Sequence, residues 1–514
     1  MAAPTTTLKP LWSGFSYFPH QLEGIRWMMD RERTGVPCDG KTIRGGFQCD
    51  DMGLGKTIQV AAVIVNHVQP HTLLFAPLAM IDTWTGVLQR SGCVVYQVSP
   101  STRAWERVPS TWGIAPHWFN RERPAVFVTN YEKLHGPAAR SLFSGYTWNR
   151  IVLDEAHKIR NGKSRMSTAA RAIPAAYRWA VTGTPLVNSL KDVVALLAFL
   201  GVPCDKQFRW EPRFLHWLPS LLLHRSLDSL RSVIAGAPPV PVVHDVVLPF
   251  SSEEEEEFYL GVQGIVSESL AGKYKKDVPP AEMFKLLLRL RQISVHPQIY
   301  IDAMRRELGA ASYDRPDWTA GSTKLDALHR ILEGDASLIA AEGGQTLAPC
   351  SEGDAAEGGQ TPHRYIVFCQ FHQEMDLIRQ SLLQRGVCDA EHVLMYHGGM
   401  SQMERASVLE QSKKLSGRVV LLLQLQAGGV GLNLQEYDRV VFVSPWWTSA
   451  MMDQAVARAV RMGQTRVVHV YHLALSAEKH GAIQIDRLIQ HKAHAKRLLL
   501  DRLFALCEQD HPSL

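Results

Sequence analysis

The chain has 514 residues, 46% hydrophobic and 20% charged, with 37 Gly and 28 Pro; this excludes a small one-domain binding module, a disordered chain and a collagen-like one, and at roughly 150 residues per domain it implies about three units. The 55 basic and 50 acidic residues leave a net charge of +5, too thin an excess to establish a polyanionic partner, so any basic surface is local. Eight cysteines occur without a C-x-x-C pair, and no uncharged apolar run approaches the ~20 residues of a membrane span, so the expectation is an intracellular protein with reduced thiols, no zinc module and no membrane contact.

From the N-terminus, FPHQLEGIRWMM places Leu22, Ile25 and Met29 on one helical face and leaves Gln21 near the helix start. Gln21 carries the donor and acceptor to read an adenine edge in bidentate fashion; it reads equally as a surface glutamine on an ordinary helix. CDDMGLGKTIQVAAVIV (49–65) predicts a phosphate loop opening a buried helix. Over Asp50, Asp51, Met52, Gly53, Leu54 and Gly55 the backbone amides cradle phosphate oxygens, with Gly53 and Gly55 allowing close approach. Lys56 reaches the β- and γ-phosphates, and Thr57 offers Mg²⁺ a hydroxyl. Asp50 stands where the first glycine of G-x-x-x-x-G-K-[ST] belongs, and a glycine turn capping a plain helix is the other reading of this stretch taken alone.

Short apolar runs then alternate with helical patterns: HTLLFAP, PAVFVTN, RIVLDEA and RWAVTGTP in the first half, RYIVFCQ, RVVLLLQ, DRVVFVS and VVHVYHL in the second. Continuous apolar strands between helices predict an α/β fold with two parallel sheets, each covered on both faces, and ligands at the carboxyl ends of the strands. RIVLDEAH puts Asp154 and Glu155 directly after a buried strand, where adjacent carboxylates are costly without a task. Beside a phosphate loop, Asp154 suits Mg²⁺ coordination and Glu155 suits orienting the attacking water. His157 either couples the site to later motifs or packs; VTGTPLVN (181–188) either senses the γ-phosphate or is a turn. GAPPVPVV breaks any helix, and Ser252 with Glu255 reads as a capping box at the head of the acidic run Glu253–Glu257. Residues 333–362 repeat EGDA and AAEGGQT and read as a low-complexity insertion. The expected division is 1–235 as an N-terminal ATP-binding lobe, 236–320 as a helical connection, and 321–514 as a C-terminal lobe.

The order of motifs resembles the SWI/SNF-type helicase-like ATPases of superfamily two, over most of the chain. The resembling pieces are HQLEGIRW, DDMGLGKT, Pro77 and Trp84 of PLAMIDTW, VTNYEKL, LDEAH and TGTP, then MFKLLLRLRQISVHPQIY, IVFCQF, YHGGMSQMER, LQAGGVGLNL and SPWWTSAMMDQAVARAVRMGQT. The resemblance implies two RecA-like lobes closing on ATP and Mg²⁺, and translocation along double-stranded DNA without full strand separation. It implies a monomeric motor acting on DNA-bound proteins or chromatin, nuclear or, if viral, in the host cell or virion, with Gly429 and Gly431 at the nucleotide and Arg458 and Arg461 as arginine fingers. Gln454, Arg458 and Arg461 fall at i, i+4 and i+7, so a helix presents all three on one stripe; a solvated basic face is the other reading. Candidate DNA contacts are Thr129, Asn130, Tyr131, His397, Arg405 and Gly428 of the AGG turn, with Trp447 stacking on a base or, like Trp446, belonging to a core. The sequence departs from the family at Val460, where histidine is usual, at Gln426, where a basic residue is common, and at Arg225, which stands alone of a basic pair. Two other functions stand beside this one: a strand-separating DNA or RNA helicase, and a nucleotide-gated DNA-binding scaffold with little hydrolysis.

Overall fold

The computed structural model describes residues 7–110, 123–136, 138–203, 214–273, 279–334, 362–428, 431–476 and 484–508; nearly all of the expected insertion over 333–362 lies outside the described residues, as does Gly429. The chain divides into two compact units: residues up to Ala237 together with those from Lys496 onward, and Pro238–Ala495.

In the first unit eight strands form one sheet in the order Leu222–Leu223, Gly45–Gln48, Ala175–Val181, Trp148–Asp154, His71–Phe75, Ala125–Thr129, Val94–Val98 and Trp105–Arg107. Neighbours run parallel except the last pair, which is antiparallel. The apolar runs are continuous because successive side chains serve opposite faces. Leu73, Phe75, Ile151 and Leu153 join one core with Leu196 and Phe199, whereas Leu74, Val152 and Val181 join another with Ile25, Met28, Ile64 and Trp84. Helices Pro19–Arg33, Lys56–Asn66 and Ile81–Arg90 thus carry one face.

Beneath that face lies a buried ion pair. Glu32 accepts from Nε and Nη2 of Arg150 and from Nε1 of Trp179, and both charged side chains are sequestered from water. Burial pushes the Glu32 carboxyl up, but Arg150, then His67 and Trp179, outweigh it and bring it down to about 2. Because the folded value lies below the ordinary 4.5, the stability this carboxylate contributes is present above that value and is lost as pH falls toward 2. Glu32→Ala strands a buried guanidinium and is expected to cost about 3–5 kcal/mol near neutral pH. Urea unfolding should show the deficit shrinking as pH is lowered toward 2; a deficit independent of pH counts against the ion pair as its cause.

The second unit holds a six-stranded sheet, parallel throughout, in the order Val242–Pro249, His469–Ser476, Arg439–Phe442, Arg364–Cys369, Val419–Gln424, Val393–Tyr396. Helices Glu253–Lys273, Pro280–Val295 and Pro297–Leu308 form a helical layer with its own core around Phe258, Tyr259, Leu290 and Ile301. The buried Lys324 ammonium pairs with Asp486 at 2.6 Å and donates to Oγ of Ser444 at 2.9 Å, joining helix Thr323–Glu333 to the head of the last helix. The expected capping box at Ser252 forms only by half. Oγ of Ser252 accepts from Glu255 N at 3.1 Å, but the Glu255 carboxylate turns to Thr323 and accepts from its N–H and its hydroxyl. The N-terminus of a second helix thereby takes a carboxylate, which its dipole favours.

The last helix, Ile485–Glu508, belongs to both units: Ile485 and Ile489 pack in the helical core, and Leu500, Leu503 and Phe504 in the first unit's core. Among the described residues no helix is long and apolar enough to cross a membrane.

Candidate nucleotide and nucleic-acid site

At the carboxyl end of strand Gly45–Gln48 the chain turns through 49–55 into helix Lys56–Asn66. Gly53 and Gly55 hold φ of 89° and 79°, a conformation glycine reaches without strain. Nζ of Lys56 donates to the main-chain carbonyls of Asp50 and Asp51 at 2.6 and 3.1 Å, so the loop wraps its own lysine. A Cβ on Gly183 would stand 3.7 Å from that Nζ and 3.6 Å from the Asp50 carbonyl. TGTP is thereby packed directly on the loop.

The Asp50 side chain is turned into the protein. Its carboxylate is buried and accepts from Nε2 of Gln48 (3.0 Å), Nε2 of Gln59 (2.9 Å), and Nε and Nη2 of Arg225 (2.9 and 2.5 Å). Burial raises its pKa, but the Arg225 bonds outweigh this and leave it lowered. The side chain replacing the motif's first glycine thus braces the loop from behind, and Arg225 is its counter-ion. Asp51 accepts from Leu227 N at 2.8 Å, so both carboxylates fasten the loop to residues 225–227. The Leu54 carbonyl accepts from Nε2 of His20 at 3.0 Å and from Nε2 of Gln21 and Gln59 at 3.4 Å, while Oε1 of Gln21 accepts from Phe18 N. Gln21 is buried, with its amide nitrogen on the loop and its amide oxygen on the cap of its own helix. Met52 and Thr57 are half-buried beside it.

Strand Trp148–Asp154 ends at the paired acids. Oδ2 of Asp154 accepts from Nε1 of the buried Trp84 at 2.7 Å, and Oδ1 from Glu155 N at 3.1 Å. Burial, then the neighbouring Glu155 charge, pushes the Asp154 carboxyl up to about 7, with Trp84 and Lys56 opposing. Glu155 adopts φ 52°, ψ 49°, uncommon for a residue with a side chain. Nδ1 of His157 lies 3.3 Å from Oε2 of Glu155 and 3.2 Å from Oγ1 of Thr182, and that hydroxyl accepts from Thr184 N. His157 therefore joins the acidic turn to the TGTP turn, the coupling alternative of its two readings.

The remaining first-unit candidates divide. Thr129 is buried, its carbonyl accepting from Ala76 N at 2.9 Å, and Asn130 is half-buried with Oδ1 lacking a hydrogen-bond partner among the described residues. The Tyr131 side chain is wholly buried, with its hydroxyl donating to the Asp154 carbonyl at 2.6 Å, which leaves only its main chain for a contact with DNA.

In the second unit Gln454 lies in helix Ser449–Val456, which stops before the two arginines. The expected single helical stripe is therefore interrupted. The physical reason is packing: the Arg458 carbonyl accepts from Leu434 N at 3.0 Å and Val460 is buried in the sheet core, so residues 457–460 turn down onto the sheet. Arg458 is buried; Arg461 is half-buried, donates from Nη1 to the Leu432 carbonyl at 3.1 Å, and has its pKa lowered by burial. Gly431, at φ 80°, immediately precedes Leu432, and Gly428 ends a short helix, Leu425–Gly428. His397 packs edge-on against His372 with ring centroids 4.5 Å apart, and its pKa is lowered by burial, then by His372 and Arg405. Arg405 donates to the Gly398 carbonyl at 2.8 Å. Trp446 and Trp447 pack against the sheet core and the helical core respectively, with the Arg291 guanidinium 5.0 and 5.9 Å from their rings; this is the core alternative for the pair.

A model of the SNF2-related domain matches residues 20–299, more than half of the chain, and one of the helicase conserved C-terminal domain matches 355–463. The chain belongs to the SNF2-related family. As a member it is a helicase-like ATP hydrolase that uses ATP. It is 28% identical over 509 residues to the probable global transactivator of Orgyia pseudotsugata multicapsid polyhedrosis virus, covering 94% of this chain and 91% of that protein. It is 28% identical over 483 residues to the putative ATP-dependent helicase/translocase YwqA of Bacillus subtilis, covering 88% of this chain and 46% of that one. With the TATA-binding protein-associated factor mot1 of Aspergillus fumigatus the identity is 25% over 513 residues, covering 88% and 25%. The chain thus spans nearly all of the viral relative but half or less of the other two. Among solved structures, the Sulfolobus solfataricus SWI2/SNF2 ATPase core in complex with dsDNA aligns over 97% of this chain and 98% of that one, at 20% identity and a TM-score of 0.38.

Within this SNF2-related chain, sequence reasoning missed Gln48, Gln59 and the Asp50–Arg225 pair. The one available signal was the aspartate in a glycine's place, which called for a counter-ion.

Proposed function

We propose that the chain is a DNA-dependent ATPase that moves along double-stranded DNA and displaces or remodels bound protein without full strand separation. What supports this reading above all is the convergence of Lys56, Asp154, Glu155 and Thr182–Thr184 at the carboxyl ends of neighbouring parallel strands of one sheet. The Lys56 ammonium exchanges the Asp50 and Asp51 carbonyls for phosphate oxygens. Glu155, held by its backbone and by His157, orients and deprotonates the attacking water. Thr57 and Asp154 are hard oxygen donors and fit Mg²⁺, whose binding also relieves the cost of ionising a carboxyl that burial pushes up to about 7. Held there, Mg²⁺ would neutralise charge developing on the transferred phosphoryl group. Arg458 and Arg461 are the candidate arginine fingers, and Asn130, His397, Arg405 and Gly428 the candidate contacts to the DNA backbone. The expected setting is nuclear, on chromatin or other DNA-bound protein.

Duplex DNA is expected to raise ATP turnover, and the stimulation to weaken linearly on a log–log salt plot through counterion release. Turnover indifferent to any nucleic acid overturns the proposal; product strands separated in an unwinding assay replace it with a strand-separating helicase.

A further inference from the structure

The peptide joining the two acids is pinned on both sides. Its N–H, that of Glu155, donates to Oδ1 of Asp154, and its carbonyl, that of Asp154, accepts from the Tyr131 hydroxyl at 2.6 Å. Glu155 sits in the left-handed region, a conformation that persists only where surrounding contacts over-determine it. The orientation of this peptide plane therefore sets where the Glu155 carboxylate points.

Tyr131 is placed to act on that plane. Its ring lies in the core beside Phe75, with Nζ of Lys158, from the short helix Ala156–Ile159 that follows the acids, 5.8 Å from the ring centroid. It opens the short helix Tyr131–His135 immediately after strand Ala125–Thr129, which lies two strands away from the acid-bearing strand. Asn130, directly before it, has a buried Oδ1 with no hydrogen-bond partner among the described residues. The Asn130 side-chain N–H groups are donors suited to a phosphate, and a contact there would bear on the adjoining residue, whose hydroxyl holds the Asp154–Glu155 peptide.

We propose that Tyr131 is a positioning residue that carries nucleic-acid contact at Asn130 to the Glu155 carboxylate. This rests on the reading of the chain as a DNA-dependent ATPase, and makes the stimulation a consequence of one hydroxyl. Tyr131→Phe keeps the ring and removes only that hydroxyl. It is expected to lower DNA-stimulated kcat about tenfold, within the usual range of coupling between two sites, with DNA affinity and the KM for ATP little changed. Turnover without DNA should fall much less than the stimulated rate. A role in stability alone would instead depress both rates together and lower the unfolding midpoint. A double-mutant cycle with Asn130→Ala supplies the second readout: residues acting in series lose stimulation non-additively. Wild-type protein stimulated by duplex DNA, with Tyr131→Phe stimulated equally or the two substitutions additive, overturns this inference alone. Wild-type turnover indifferent to DNA overturns the functional reading and this inference with it.

Discussion

Glu155→Gln is expected to lower ATP turnover by about 10²–10⁴-fold, the span general-base removal produces, with little loss of ATP affinity. Glutamine matches the shape of the side chain, so the left-handed turn and the His157 contact can persist while the proton acceptor is gone. The substitution also removes the neighbouring charge that, after burial, helps push the Asp154 carboxyl up. Loss of turnover therefore isolates the water-activating role. Lys56→Ala, by contrast, should reduce nucleotide affinity as well as turnover, because the ammonium meets phosphates in the ground state. Phosphate release and equilibrium binding of a fluorescent ATP analogue separate the cases; equal losses of binding and turnover in Glu155→Gln place Glu155 in ground-state binding.

Arg461→Ala is expected to cost about 10³–10⁵-fold in turnover, the contribution of an arginine finger in other phosphoryl-transfer enzymes. Arg461 is the cleaner probe of the two arginines. Arg458 is buried and its carbonyl anchors Leu434, so its removal mixes packing with chemistry. Arg461 is half-buried and spends one guanidinium nitrogen on the Leu432 carbonyl, a single neutral bond readily exchanged for a charged one. Arg461→Lys should recover little, since an ammonium lacks the planar fork. Turnover of Arg461→Ala within tenfold of wild type would reduce Arg461 to a clip on the Leu432 loop.

The α/β architecture was legible because parallel strands buried on both faces leave unbroken apolar runs such as IVL and VVLLL, and the phosphate loop because glycine, lysine and threonine at that spacing answer one local demand. What was illegible depends on contacts distant in sequence. Asp50 finds Arg225 across 175 positions, and Glu255 abandons its own helix cap for Thr323, 68 positions on. The helix bearing Gln454 has no proline or glycine before Arg458 to announce its end; burial of Val460 and the Leu434 bond end it. Tyr131 sits in NYEKL, whose polarity suggests a surface loop, and only the neighbouring strand end reveals that its hydroxyl faces inward.

ATP hydrolysis at the loop 50–57 and the Asp154–Glu155 turn, stimulated by duplex DNA, is what the proposed function requires. An ATP analogue carrying a photoreactive group on its γ-phosphate, irradiated with the full chain and duplex DNA and mapped by mass spectrometry, tests it directly. Labelled peptides from 50–57, intensified by duplex DNA, are the expected result; label that spares 50–57 under every condition contradicts it.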